Sequence, residues 1–332
     1  MPNLSIVGHA AVTDALDGAE NAVIDCVRDT YLLHESGRTV NPDSYFLRFP
    51  DKPDSRIIAL PAFVDDHRPT AGLKWISSFP ANVGRGRQRA SAVLVLNDYE
   101  TGYPIAVLES AAISAARTAA SAALAAGVLT ADRPATVGVI GAGYIARTIC
   151  RYLDATGTPL DRVVCHDTDD ASAAALARHL DDGRPRSARV GQLGEALDAD
   201  LVVFATTALA PYVPATHRFR AGQLVLHVSL RDLAPETLLA ADNVLDDIDH
   251  CLKAQTSPHL AETLTGGREF VTGTLAQVIL GKSELDPDRA TIFSPFGLGV
   301  LDIAVGRMVL DRAVAAGRAT AIDGFFGDQI RW

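Results

Sequence analysis

The sequence has no block of basic residues and carries a formal charge of -10 over its 332 residues. An acidic chain repels phosphate backbones, which argues against a nucleic-acid partner and for a small molecule. Cysteine is scarce: Cys26, Cys150, Cys165 and Cys251 are scattered and form no C-x-x-C pair. No metal site is therefore expected, and the pattern suits buried free thiols in a reducing cytoplasm. No run reaches the ~18 uninterrupted apolar residues of a bilayer span, so no membrane association is expected. The N-terminal segment lacks a basic region and places acids where an export signal is apolar, which predicts a cytoplasmic protein. Lysine is rare too, with only Lys52, Lys74, Lys253 and Lys282 among thirty basic residues, so each lysine in an apolar setting is worth asking about.

What is present is ordinary globular material, 48% hydrophobic and 21% charged, and long enough for two domains. Residues 3–36 read as a strand and a helix. Residues 44–109 hold five short apolar runs separated by Pro, Gly, Asp and Asn, the pattern of an antiparallel β-unit. An alanine-rich helix follows over 110–129. From Pro134 onward strands and helices alternate: helix 171–181, strands 199–205, 223–229 and 243–248, a further helix and a last apolar run at 290–293. That alternation predicts a doubly wound parallel sheet. Beyond Pro295, an amphipathic helix is expected to leave the sheet and return to the N-terminal part. The fold class is thus α/β: a Rossmann-type doubly wound parallel sheet over 130–295, plus an α+β substrate and dimerisation domain with an antiparallel β-unit over 1–129, rejoined by 296–332.

The most specific run is TVGVIGAGYIARTICRYL, residues 136–153. Gly141 permits a tight turn, Gly143 lets backbone approach a pyrophosphate, and Ala146 lets the helix lie close on its strand. The helix N-terminus offers unpaired N–H groups to phosphate, with Tyr144 and Ile145 in its first turn. Asp167 ends the next strand about 20 residues on, where an acid hydrogen-bonds the adenosine ribose 2′-OH and repels a 2′-phosphate. The expected cofactor is NAD, with Thr206 and Ser229, which follow later strands, completing its site. A glycine-rich turn in some other α/β protein is the competing reading.

Four further groups attract attention. Arg117 lies in a helix of Ala, Ser and Thr; enclosed there, it needs an anion, either a substrate carboxylate or a protein acid. Lys74 sits in an apolar strand beside Trp75, where an ammonium suits proton transfer or carboxylate binding, though a strand lysine can also face solvent. Asp232 follows the strand LVLHVSL, at the end where ligands of parallel sheets bind, and is either a charge for the chemistry or a helix N-cap. Arg48, Arg56, Arg85, Arg87 and Arg89 could each reach a ligand carboxylate, with solvated loop charges as the default.

With these residues in view, the chain is similar over essentially its full length to the ornithine cyclodeaminase and mu-crystallin family. The resemblance rests on Gly72-Leu73-Lys74 followed by Phe79-Pro80-Ala81-Asn82, on Thr101 to Ala106, on Arg117 to Ala122, and on Gly141 to Gly143. It implies that Lys74 and Arg117 contact a substrate amino acid, that Asp232 takes part in the chemistry, and that the protein is a homodimer. There are two departures. The family's arginine near the first β-strand has no match after Asn41-Pro42, which leaves Arg48 to take that role, and the cyclodeaminase G-A-D becomes Leu230-Arg231-Asp232, placing Arg231 beside the acid.

The runs NPDSYFLRFPDKPDSRIIALPA, RASAVLVLND and SPFGLGVLDIAVG resemble the branch that makes 2,3-diaminopropionate for siderophores or peptide antibiotics. Its members oxidise N-(2-amino-2-carboxyethyl)-L-glutamate with NAD and hydrolyse it to 2-oxoglutarate and L-2,3-diaminopropionate. Three carboxylates on that substrate fit a pocket gathering Lys74, Arg117, Arg231 and Arg48. An ornithine cyclodeaminase, an alanine dehydrogenase or ketimine reductase, and an NAD-binding protein without turnover are the alternatives.

Overall fold

The computed structural model describes residues 3–130, 134–181 and 187–327. The chain divides into two compact units, one of Met1–Arg117 with Leu298–Trp332 and one of Thr118–Gly297. The division falls within the alanine-rich helix, not after residue 129, and the helix continues through it without a break. Nothing local to the sequence marks such a boundary. Residues 328–332 of the expected returning segment lie outside the described residues.

In the first unit come β1 (Leu4–Val7), α1 (His9–Leu16), α2 (Glu20–Glu35), β2 (Thr39–Val40), β3 (Tyr45–Phe49), β4 (Lys52–Val64), β5 (Thr70–Ser78), β6 (Ala90–Asp98), β7 (Pro104–Glu109) and the start of α3 (Ala111–Leu129). The second unit holds β8 (Val137–Ile140), α4 (Tyr144–Ala155), β9 (Arg162–His166), α5 (Asp170–Leu180), β10 (Ser187–Val190), α6 (Leu193–Leu197), β11 (Leu201–Phe204), β12 (Leu224–His227), α7 (Pro235–Leu239) and β13 (Asp242–Leu245). It continues with α8 (Ile248–Cys251), α9 (Ser257–Thr265), β14 (Val271–Thr274), α10 (Leu275–Ile279) and β15 (Thr291–Ser294), after which α11 (Gly299–Ala315) and β16 (Thr320–Ile322) return to the first unit.

The first sheet has the order β16-β1-β7-β6-β5-β4-β2, with β3 also paired to β4. The five apolar runs form the antiparallel strands β3 to β7, and β1 joins β7 in parallel. Alternation along the strands sorts the side chains. Leu60, Ala62, Val64, Leu94 and Leu96 are buried on one face, while Tyr45, Trp75 and Val93 stay exposed on the other. The buried face receives α11, which packs on β4, β5 and β6. Gly72 makes this approach possible, because a Cβ there would lie 2.4 Å from the Val95 carbonyl oxygen and 2.7 Å from Ile303 Cδ1.

Sequence periodicity predicts α11 as amphipathic, but its buried residues run from Gly299 to Ala313 and include Asp302 and Arg307. The helix is enclosed on most sides by α1, α2 and the sheet, so polar residues that resemble a solvent face are instead paired internally. Arg307 illustrates this, forking onto both carboxylate oxygens of Asp66. In α3 an apolar stretch long enough by composition to cross a membrane is 83% buried within the fold, so its surface is satisfied by protein contacts.

The second sheet is parallel throughout, ordered β10-β9-β8-β11-β12-β15-β13-β14. Strands β8, β11, β12 and β15 are buried along their whole length, as expected where helices cover both faces. Ile140, Val202, Phe204, Val225 and Ile292 form the centre of the core, each fully buried aliphatic contributing about 1.5–3 kcal/mol. Two strands escape sequence reading. β10 is an exposed edge with a polar run, and β14 is a four-residue edge strand; edges carry no apolar alternation to detect. β15 also inserts between β12 and β13, an order no local pattern encodes. The order reverses between β8 and β11, the kind of switch point at which parallel sheets open a ligand crevice beyond the C-terminal ends of their strands.

Candidate active site

The candidate cofactor site is built within the second unit at that crevice. Gly141 leaves β8 at φ +88°, and its N–H donates to the His166 carbonyl at 2.8 Å. A Cβ at Gly141 would sit 2.5 Å from the Ala205 carbonyl oxygen, so both the angle and the space require glycine. Gly143 caps α4 with no side-chain hydrogen bond, and a Cβ there would meet nothing within 4 Å. The open end of a twelve-residue helix thus has its first N–H groups free of side-chain caps, the arrangement that receives a phosphate. Ala146 is fully buried beneath it, whereas Tyr144 is exposed and Ile145 half-buried at the rim.

Asp167 follows β9 and accepts hydrogen bonds from the backbone N–H of Ala142 at 2.7 Å and of Asp169 at 2.9 Å. The expected ribose acid therefore also ties the glycine turn to the second strand, which holds both in register.

Asp232 is buried and receives a closed set of donors. Thr206 Oγ1 donates to one carboxylate oxygen and Ser229 Oγ to the other, each at 2.5 Å, and His227 Nε2 lies 3.3 Å from the second. Burial pushes the carboxyl up, but His227, Ser229 and Thr206 outweigh it and hold Asp232 down at about 2. The helix-cap alternative fails, because α7 is capped by Ala234 with Pro235 in its first turn. A carboxylate held that low is a fixed negative charge, poorly matched to taking protons near neutrality. Thr206 and Ser229 thus act here through Asp232.

Two neighbours of the acid go unrecognised in the sequence. His227, wholly buried in β12, reaches Ser294 Oγ at 3.2 Å through Nδ1, and its only sequence signal is a lone histidine in an apolar strand. The Tyr212 phenol lies beside Asp232, and burial together with that charge pushes its pKa up. It comes from a proline-rich loop with no periodic signal.

The backbone next to the acid is strained. Leu230 occupies φ +68°, a position where the cyclodeaminases' glycine is free, at a cost of about 1–2 kcal/mol. Arg231 donates from Nη2 to the Ala254 carbonyl at 2.7 Å, clamping the turn in which Ala254 and Gln255 also take positive φ. One arm of its guanidinium is thus committed to the protein, contrary to an arginine wholly available to substrate.

A separate charged cluster is built in the first unit from Lys74 on β5, Arg117 on α3 and a residue that sequence reading overlooks, Asp302 on α11. Lys74 Nζ donates to Asp302 Oδ2 at 2.6 Å and to Ser114 Oγ at 3.2 Å, and Arg117 Nε donates to Asp302 Oδ1 at 3.3 Å. Asp302 is completely buried, and an acid inside an apolar helix is the signal that could have found it. Two cations share one carboxylate, which leaves a net positive charge in a desolvated setting. Burial brings Lys74 down to about 8, with Asp302 opposing and Arg117 adding to the fall. Among the described residues Arg117 has no other partner, so its terminal amino groups remain available although the side chain is only 11% exposed. Such a fork is suited to a carboxylate. Arg48, by contrast, is exposed on β3 beside Phe46, apart from this cluster.

The chain is 29% identical to the alanine dehydrogenase of Archaeoglobus fulgidus over 313 residues, covering 91% of this chain and 92% of that one. It is 27% identical over 303 residues to the N-((2S)-2-amino-2-carboxyethyl)-L-glutamate dehydrogenase of Staphylococcus aureus, covering 87% and 89%. An archaeal alanine dehydrogenase dimer solved with bound NAD superposes with a TM-score of 0.85 at 25% identity, covering 97% of this chain and all of that one. The model of the ornithine cyclodeaminase/mu-crystallin family matches residues 10–317. Nearly the whole chain, both units included, is thereby accounted for, and the protein belongs to the ornithine cyclodeaminase/mu-crystallin family.

Proposed function

We propose that the protein is an NAD-dependent oxidoreductase that oxidises the α-carbon–nitrogen bond of N-(2-amino-2-carboxyethyl)-L-glutamate and releases 2-oxoglutarate and L-2,3-diaminopropionate. The observation that carries an amino-acid substrate is Arg117: a buried guanidinium with unused donors beside an uncompensated positive charge. It grips the α-carboxylate, and Lys74 adds charge at the same end.

NAD is the cofactor, and when bound it supplies the acceptor for the hydride that leaves the substrate α-carbon. The α4 N-terminus and Gly143 would hold its pyrophosphate, and Asp167 its adenosine ribose. Loss of hydride leaves a cationic C=N on the substrate, which the fixed charge of Asp232 stabilises. Water adds to that carbon, a proton moves from the new hydroxyl to nitrogen, and the C–N bond breaks to ketone and amine. Lys74, held at about 8, is matched to moving protons near neutral pH. The product would feed siderophore or peptide assembly in the cytoplasm, a compartment compatible with four free thiols.

The test is NADH formation by purified protein with NAD and the adduct, run beside L-alanine and L-ornithine, with products identified by mass. NADH with 2-oxoglutarate and diaminopropionate from the adduct is expected. Pyruvate from alanine at higher kcat/KM would make the protein an alanine dehydrogenase, and proline from ornithine without net NADH a cyclodeaminase.

A homodimer is part of this reading. Tyr45, Ala59, Trp75 and Val93 pair in sequence across β3, β4, β5 and β6, forming one apolar row on the sheet's outer face. Tyr45 is 70% exposed, Trp75 40% and Val93 41%, a patch that a second copy would cover. Trp75→Glu should convert a dimer to monomer in sedimentation equilibrium; a wild-type monomer would refute the assignment.

A further inference from the structure

A second group of cations lies on the first sheet, away from Asp302. Arg48 pairs directly with Arg56 across β3 and β4, and Arg56 pairs with Ser78 across β4 and β5. Arg89 donates from Nη1 to Ser78 Oγ at 2.7 Å. Directly paired residues share a sheet face, and so do residues two or four apart on one strand. Ser78 is therefore on the face of Lys74, four residues along β5, or about 13 Å at ~3.3 Å per residue.

Among the described residues no acid answers these guanidiniums. Among the described residues Arg48, Arg56 and Arg89 make no ion pair, and the hydroxyl of Ser78 is the only hydrogen-bond acceptor any of the three finds. Arg56 and Arg89 are half-buried, and the protonation of each is depressed first by burial and then by the adjacent arginine. Desolvated like charges without a counterion destabilise a fold, and solvent alone does not explain gathering them onto the face that holds the substrate lysine. An anionic ligand does.

We propose that Arg48, Arg56 and Arg89 form a second anion subsite, which takes a side-chain carboxylate of a substrate whose α-carboxylate is held at Arg117. The subsite rests on the functional reading above for the position of the α-carboxylate, and it selects a polycarboxylic amino acid over a monocarboxylic one. The two groups are separated along one sheet face by that ~13 Å of backbone, and a linear di- or tricarboxylate is the class of ligand that can engage both. A charge-assisted hydrogen bond to carboxylate accounts for roughly a 10- to 100-fold change in affinity for each guanidinium.

The experiment is calorimetric titration of the NAD-bound protein with N-(2-amino-2-carboxyethyl)-L-glutamate, L-glutamate and L-alanine, for wild type, Arg56→Gln, Arg89→Gln and Arg56→Lys, beside steady-state kinetics. Arg56→Gln and Arg89→Gln should each weaken the adduct roughly 10- to 100-fold. Glutamate should weaken comparably and alanine far less, and Arg56→Lys should recover part of the loss. The melting temperature of Arg56→Gln should hold or rise, because the change removes an unpaired like charge; a purely structural arginine would lower it. Turnover of the adduct with affinities unmoved by either Gln variant overturns the subsite and leaves the function standing. If wild type binds glutamate and loses it on Arg56→Gln but never turns over the adduct, the subsite stands and the function falls. Equal losses for alanine and the adduct overturn the subsite.

Discussion

Asp302→Ala should destabilise the protein by about 3–5 kcal/mol, because it leaves Lys74 and Arg117 buried without a counterion. A pair of cations in a desolvated setting has no cheap rearrangement: both side chains are nearly closed to solvent, and among the described residues the neutral acceptor they have is Ser114. The loss should depend on pH in a definite direction. In the native protein Lys74 is held at about 8, below its ordinary 10.5, so between those values the unfolded chain binds more protons than the folded one. Stability therefore rises with pH across that window as the folded state is relieved of a desolvated ammonium. Without Asp302 the lysine loses the partner that raises it, and relief begins at lower pH. Urea unfolding at pH 6, 7.5 and 9 should show the variant's deficit shrinking as pH rises. A deficit below about 1 kcal/mol, or one flat with pH, would mean that Asp302 does not bear this charge. Asp302→Asn should also move the Lys74 limb of the kcat/KM profile to lower pH, which a packing defect would not do.

Asp232→Asn should reduce turnover by roughly 10³-fold while changing NAD affinity only a few-fold, since removing a preorganised charge costs the transition state far more than the ground state. The substitution preserves shape. Thr206 and Ser229 donate to the carboxylate, and their hydroxyls can rotate to accept from an amide, so the fold should survive. The charge itself persists to about pH 2, below the ordinary 3.8, and contributes stability that is lost as pH falls through that interval. The Asn variant should lack this acid limb. Equal losses of NAD affinity and turnover would reassign Asp232 to holding the crevice together. His227 is the companion test: it acts through Asp232, so His227→Gln should give a smaller loss in kcat with the same sign.

Much of this was legible in the residues. The glycine turn at Gly141 and Gly143, the acid at Asp167 and the alternation that follows identify a nucleotide-binding parallel sheet, because turn angles, close approaches and buried strand runs are decided by a few adjacent residues. Lys74, Arg117 and Asp232 stood out as charges in apolar or small-residue settings. The five runs of the antiparallel unit followed from breakers and alternation. These are local constraints, and a sequence states local constraints directly.

Tertiary structure decided the rest. Asp302 meets Lys74 and Arg117 across separations of 228 and 185 residues, and no spacing rule connects such positions. The same long-range folding encloses α11, inserts β15 between β12 and β13, and commits Arg231 to the Ala254 carbonyl while leaving Arg48, Arg56 and Arg89 without acid partners among the described residues. A charge's role depends on what is packed against it, and packing partners come from the whole chain. The sequence by itself determined which residues could carry chemistry; the tertiary structure decided which of them have donors left to use.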